Sequence, residues 1–240
     1  MTLLAAIFDV DGVLVASPHE QAWREALTGF AAPAQFTTEF YQANVAGKRR
    51  LDGARATLEG LGVPQAVARA PEYAAKKQAL IDRLIAAGDF EAFPDAVRLA
   101  VALQAAGLKL ALASSSKNVK PMLRRLTTPD GSTLLSVFDA DLSGTDVPRG
   151  KPDPALFLLA AKALNVPPAQ SLVVEDAPSG IAAACAGGMA SIGIARLGDE
   201  ALLRAAGAGL VVTSLDDVDA AAVPQGMLRV RRGMETSTHA

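Results

Sequence analysis

The stretch Leu3-Leu4-Ala5-Ala6-Ile7-Phe8-Asp9-Val10-Asp11-Gly12 decides how the chain is read. Six apolar residues in a row suit a strand buried on both faces of a parallel sheet. The run stops at two carboxylates two residues apart, and Gly12 after them frees the backbone to turn. In open α/β sheets the chemistry collects beyond the carboxyl ends of the strands. Asp9 and Asp11 are therefore expected at the mouth of a site, close enough to share a cation. A strand capped by a polar turn explains the same four residues, so the reading depends on what stands further along.

Later segments end in the same manner. Lys109 to Ala113 reads as a strand and runs into Ser114-Ser115-Ser116-Lys117-Asn118, where hydroxyls and free backbone N–H groups form an anion cradle. Gly150-Lys151-Pro152-Asp153-Pro154 places a lysine in a loop stiffened by two prolines, where it neutralises a phosphoryl oxygen as a point charge. Taken alone, that lysine is an ordinary loop residue and the serines an ordinary helix-capping turn. Leu172-Val173-Val174-Glu175-Asp176 repeats the opening pattern. Adjacent acids at a strand end repel unless something positive lies among them. Asp9, Asp11 and Asp176, with Glu175 beside them, form an oxygen-only donor set, the preference of Mg²⁺.

Between the first strand and the rest, the texture is helical. Ser17 reads as an N-cap, Pro18 as the first helical residue and Glu20 as the partner in a capping box. Trp23, Ala26, Leu27 and Phe30 follow at helical spacing. Thr37 or Thr38 opens a second helix, and Leu51, Ala54, Leu58 and Leu61 mark a third. Glu72 to Ala87 gives a fourth. No strand pattern lies between Ser17 and Phe90. From Phe93 onward helices and strands alternate, which implies a parallel sheet covered on both faces. The first strand belongs to that sheet, because a lone strand leaves its backbone groups unpaired. The expected fold is therefore an α/β parallel-sheet core over 1–16 and 91–224, with an all-helical insert over 17–90 after the first strand. Residues 225–240 read as a poorly ordered tail.

Composition bounds the function. Half of the 240 residues are apolar, a fifth are charged, and the net charge is −2, so no basic field draws nucleic acid or an anionic membrane. The single cysteine, Cys185, excludes an internal disulfide framework; its setting of small apolar residues suggests inert packing. The first apolar run has no basic region before it and ends in acids, unlike a signal peptide. Pro178 to Ala195 is uncharged but broken by four glycines, and reads as helix, turn and strand, not a membrane span. A cytoplasmic protein, monomeric or weakly dimeric, is expected.

Asp9-Val10-Asp11-Gly12, Ser114 after a strand, Lys151 in G-K-P-D-P and Glu175-Asp176 after a strand, in that order, closely resemble the haloacid dehalogenase (HAD) superfamily. The helical insert is similar to the cap of the β-phosphoglucomutase-like subgroup, which also holds several sugar-phosphate phosphatases. The resemblance implies a Rossmann-like core under a helical cap. It implies Asp9 as the nucleophile that forms an aspartyl-phosphate and Asp11 as the general acid/base. It further implies Mg²⁺ held by the Asp9 carboxylate, the Asp11 carbonyl and Asp176, with Glu175 in support, and Ser114, Ser115 and Lys151 on the phosphoryl oxygens. In the cap region, His19 with Trp23, Gly47 with Arg50, and Lys77 resemble the same subgroup, as does the run Ser116, Lys117 and Asn118. These are expected to choose the substrate.

Two activities fit: a β-phosphoglucomutase-like transfer on a small sugar phosphate, and hydrolysis of sugar phosphates or related monoesters. Arg50 separates them, because an arginine from the cap holds the second phosphate that a mutase needs. Its alternative is a solvated helix start. A non-catalytic binding protein on the same fold is a third reading, set against four intact motifs; dehalogenation does not need the acid at Asp11.

Overall fold

The structure, a computed structural model, describes residues 2–231. Its centre is the run just quoted: Ala5–Phe8 (β1) is fully buried and lies in the middle of a six-stranded sheet. The other strands are Lys109–Leu112 (β4), Ala140–Asp141 (β5), Ser171–Glu175 (β6), Ala190–Ile194 (β7) and Leu210–Val212 (β8). Their order is β5-β4-β1-β6-β7-β8, and every neighbouring pair is parallel. In register, Phe8 sits beside Leu112 on one side and Val174 on the other, so three strands end level with one another.

Alternation along these strands divides the core in two. Ala6, Phe8, Leu110, Leu112, Leu172 and Val174 pack on one face, towards the helix Pro94–Ala105 (α5). Ala5, Ile7, Ala111, Ala113 and Val173 pack on the other, towards Ala155–Ala163 (α7) and Pro178–Ala186 (α8). The remaining core helices are Val119–Leu123 (α6) and Glu200–Ala205 (α9). Burial of both faces explains why these strands are uniformly apolar in sequence.

Four helices interrupt this core: His19–Ala26 (α1), Thr38–Asn44 (α2), Arg50–Gly60 (α3) and Ala66–Ala87 (α4). They share a separate apolar cluster built on Trp23, Leu27, Phe36, Leu58 and Tyr73, whose hydroxyl donates to Trp23 O at 2.8 Å. The chain enters and leaves through a two-stranded ribbon, Val15–Ala16 (β2) antiparallel to Glu91–Ala92 (β3). Strands this short carry no sequence pattern, and the ribbon was not expected.

Other details differ from expectation. Pro18, not Ser17, stands at the N-cap of α1, no side chain caps it, and Glu20 instead accepts from Arg24 and Thr38. α4 begins six residues before Glu72, running through Pro71; the lost hydrogen bond falls in an exposed turn, where Val67 is 64% exposed. Cys185 is exposed, with its thiol towards the carbonyls of Ala206 and Gly207. The expected tail is held down as far as Arg231: Val218 bridges Val230, and Arg231 N donates to Asp217 O. Residues 232–240 of that expectation lie outside the described residues. No helix among the described residues is long and apolar enough to cross a membrane.

Candidate active site

Level strand ends put the acids together. Asp9 follows β1, its N–H donating to Val174 O at 3.0 Å; Glu175 ends the neighbouring β6 and Asp176 follows it. Gly12 turns the chain with φ +85°, and a Cβ there would lie 2.0 Å from Asp176 Oδ2, so only glycine lets the two loops approach. Lys151, wholly buried, lies between acids: its Nζ is 2.6 Å from Asp9 Oδ1 and 2.6 Å from Glu175 Oε1. The second oxygen of Glu175 accepts from the N–H groups of Asp176 and Ala177, both at 2.8 Å. Glu175 therefore fixes the lysine and the turn that carries Asp176.

Three acids meet one lysine here, and the imbalance shows in their affinity for protons. Burial pushes the Asp9 carboxyl up to about 7, against the pull of Lys151. Burial, with Glu175 and Asp9 close by, raises Asp176 well above its usual range. Lys151 is raised despite its burial, because Asp9 and Glu175 hold its proton. Carboxylate oxygens of Asp9, Glu175 and Asp176 lie within 4.8 Å of one another. An oxygen-only cluster short of positive charge fits a hard divalent cation.

Asp11 lives in different surroundings. Its Oδ1 is 3.3 Å from His19 Nε2, an ion-pair distance without hydrogen-bond geometry, and its Oδ2 accepts from Ser114 Oγ at 3.4 Å. Burial raises its pKa, but His19, Ser17 and Lys77 outweigh that and hold it at about 2. Lys77 is pressed by burial to about 7, and its ammonium meets His19 Nδ1. The His19 imidazole is itself lowered, by burial first.

Cap and core enclose a cavity of about 260 Å³ over this cluster. All the sequence-predicted site residues line it except Glu175, which lies beneath. They differ in what they do. Ser114 Oγ accepts from Ser116 N at 3.1 Å, the turn expected of an anion cradle. The hydroxyl of Ser115 donates to Gly47 O at 3.0 Å, joining core to cap. Ser116 Oγ lies 3.4 Å from His19 Nε2, Asn118 Oδ1 accepts from Gln78 at 3.2 Å, and Lys117 pairs with Asp146 at the exposed rim. Trp23 is chiefly part of the cap core, with Lys77 Nζ 5.0 Å from its ring.

Arg50 does not stand alone over the cavity, because its guanidinium donates to Gln78 Oε1. The neighbouring Arg49 makes the bridge: Nε to Asp52 at 2.6 Å, and Nη1 to the carbonyls of Val147 and Pro148 at 3.1 and 3.2 Å. The G-K-R-R run marks both arginines but not which one turns towards the core. Ser179, which donates to Ala46 O at 2.8 Å, and Tyr41, raised well above its usual range by burial and by Asp176, were also missed. Tyr41 sits on an unremarkable helical face; Ser179 is only the second residue of a helix.

Comparison with known proteins gives the same answer. A family model described as haloacid dehalogenase-like hydrolase matches residues 3–188. The β-phosphoglucomutase of Mycobacterium bovis is 34% identical over 239 residues, covering 89% of this chain and 90% of that protein. Validoxylamine A 7'-phosphate phosphatase of Streptomyces hygroscopicus subsp. limoneus is 30% identical over 203 residues, covering 83% and 90%. Among solved structures, β-phosphoglucomutase from Clostridium difficile aligns with a TM-score of 0.71 at 28% identity, covering 89% and 92%. Motif order, sheet order and these matches agree, and the chain belongs to the haloacid dehalogenase-like hydrolases, in their β-phosphoglucomutase-like subgroup.

Proposed function

We propose that this protein is a Mg²⁺-dependent phosphoryl-transfer enzyme that acts on a small sugar phosphate through an aspartyl-phosphate, in the manner of a β-phosphoglucomutase. One observation carries the reading: Asp9, Asp11, Ser114, Lys151 and Asp176, from distant segments, border one cavity, with Lys151 Nζ 2.6 Å from the Asp9 carboxylate. Asp9 is the nucleophile. Its burial strips it of water, and Lys151 opposes its protonation and holds it in place. Asp9 and Asp176 would hold the cation together with the Asp11 carbonyl, while Glu175, both of whose oxygens already have partners, aligns Lys151 and Asp176. Bound there, Mg²⁺ supplies positive charge to the phosphoryl oxygens.

Asp11 gives a proton to the leaving oxygen as Asp9 attacks phosphorus, and takes one from the acceptor when the phosphoryl group leaves Asp9. In the free enzyme His19 and Lys77 hold it ionised, so it takes up the proton it donates only when bound substrate separates it from those cap-borne groups. Ser114 and Lys151 contact the phosphoryl oxygens as charge spreads over them. His19 and Lys77 meet the sugar side of the cavity, where the cap excludes water.

A phosphatase is the second reading, favoured by the engagement of Arg50 with Gln78 and of Arg49 with Asp52 and two core carbonyls. A second phosphate has to displace those bonds. The deciding experiment is a sugar-phosphate screen with Mg²⁺ that reads inorganic phosphate and isomeric products separately, with Asp9→Asn as the blank. Isomer formation from β-glucose 1-phosphate supports the mutase. Phosphate release without isomer supports the phosphatase. Turnover that survives Asp9→Asn or chelation of the metal refutes both.

A further inference from the structure

Arg196 follows β7 and was not among the expected site residues, yet its guanidinium grips the turn that carries Asp11. Nε donates to Gly12 O at 2.9 Å and Nη2 to Val13 O at 3.1 Å. Those carbonyls are left over by a turn whose other groups close on themselves, Gly12 N to Val15 O and Leu14 N to Val10 O, both at 2.9 Å. The opposite edge of the guanidinium meets Asp95, with Nη1 to Oδ2 at 3.2 Å and Nη2 to Oδ1 at 3.0 Å. Asp95 is itself anchored by the N–H groups of Ala96 and Leu215, at 2.9 and 2.8 Å. The face of the guanidinium lies 3.6 Å from the centre of the Phe93 ring. Phe93 comes directly after β3, at the ribbon through which the chain leaves the cap, and its N–H donates to Leu14 O at 2.9 Å.

We propose that Arg196 is the positioning residue for Asp11: it holds the Asp11-Gly12-Val13 turn in register with the cap ribbon, so that the acid lies within reach of the leaving oxygen. The inference rests on the reading of Asp11 as general acid. A planar fork is required, because two carbonyls and a carboxylate are met on different edges while one face stacks on an aromatic ring, a combination the ammonium of lysine does not reproduce. Side-chain exposure of only 16% for Arg196 and 10% for Asp95 keeps water from taking over these bonds. Proton transfer needs hydrogen-bond distance, and a misplacement of about 1 Å costs roughly 100-fold in rate.

The test uses leaving groups of graded acidity. Aryl phosphates that leave as acidic phenols need no proton, whereas weakly acidic leaving groups depend on Asp11. With Mg²⁺ present, kcat/KM is measured for p-nitrophenyl phosphate, phenyl phosphate and a hexose 6-phosphate. Enzymes compared are wild type, Arg196→Lys and the double variant Arg196→Met, Asp95→Asn, which leaves no buried carboxylate unpaired. Folding is checked by circular dichroism at the assay temperature. Expected is a loss of about 10- to 100-fold on the hexose phosphate but less than about 3-fold on p-nitrophenyl phosphate, giving a steeper dependence on leaving-group acidity. Equal losses on all three substrates, or none, overturn the inference, since a merely structural arginine moves them together. Asp11→Asn runs in parallel. If it shows the selective loss and the Arg196 variants do not, only the positioning role falls; if Asp11→Asn shows no selectivity, the assignment of Asp11 falls and the inference with it.

Discussion

Replacing Gly180 by alanine sets helix propensity against the geometry of the site. Gly180 is inside α8, where an alanine ordinarily stabilises by roughly 0.5–1 kcal/mol. Here a Cβ would fall 1.8 Å from Glu175 Oε1 and 2.0 Å from its Cδ. A flexible side chain would swing aside, but Glu175 is fully buried and its carboxylate is held by Lys151 and two backbone N–H groups. Overpacking costs about 1–3 kcal/mol. Loss of even one charge-assisted hydrogen bond adds about 1.5–3 kcal/mol. Sterics therefore win, and Gly180→Ala is expected to lose a net of about 2–4 kcal/mol. In a chain of this length that lowers Tm by roughly 5–12 °C. The assay is thermal and urea unfolding of Gly180→Ala, of Glu175→Ala and of the double variant. If Glu175 is the obstacle, Gly180→Ala costs little or stabilises once the Glu175 side chain is gone, and the cycle shows coupling of 2 kcal/mol or more, on the order expected for groups in contact. A Gly180→Ala protein as stable as wild type, or costs that simply add, refutes the account.

Three further outcomes are expected. Lys151→Met leaves Asp9 and Glu175 facing each other without their cation and should cost about 3–5 kcal/mol in denaturant unfolding, far more than loss of an exposed lysine. Arg49→Ala should change Tm by less than about 2 °C, because its side chain is 39% exposed, yet speed amide hydrogen exchange at 147–150, where it ties cap to core. Asp95 is held below its ordinary 3.8: burial opposes ionisation, but Arg196 and the N–H of Leu215 outweigh it. A lowered folded pKa adds stability that is present above 3.8 and lost as pH falls through the folded value. The stability gap between wild type and Asp95→Asn should hold steady from pH 7 to 5 and narrow on acidification below 4, as read by urea unfolding at each pH.

What was legible in the sequence and what was not follows from the range of the interactions. A buried parallel strand announces itself by an unbroken apolar run, and an acid that ends such a run has nowhere to go but the rim; Asp9, Asp11, Glu175 and Asp176 could be read this way. Helices of the cap showed through the spacing of Trp23, Leu27 and Leu58, and Thr37 proved to be a true N-cap, accepting from Phe40 N. The local capping pattern at Ser17 misled because Glu20 had better partners in Arg24 and Thr38. Choice between Arg49 and Arg50 depends on a turn of one residue at the start of α3, which no periodicity records.

Arg196 with Asp95 is the extreme case, a pair separated by 101 residues and joined only when the end of β7 and the start of α5 meet beside the Gly12 turn. Such long-range pairs carry no local signature, yet the chemistry depends on them. The strand ends deliver too many acids for one lysine, so the acids must be held apart against their own repulsion by bonds from elsewhere in the fold. Glu175 is held through Lys151 and its own turn, and Asp11 through Arg196, His19 and Ser114. The two carboxyls of the D-x-D turn, two residues apart, thereby acquire opposite characters: burial raises Asp9 to about 7 against the pull of Lys151, whereas Asp11, also buried, is lowered to about 2 by His19, Ser17 and Lys77. Contact with the cap, not residue type, is what gives the two carboxyls their different affinity for protons in the free site.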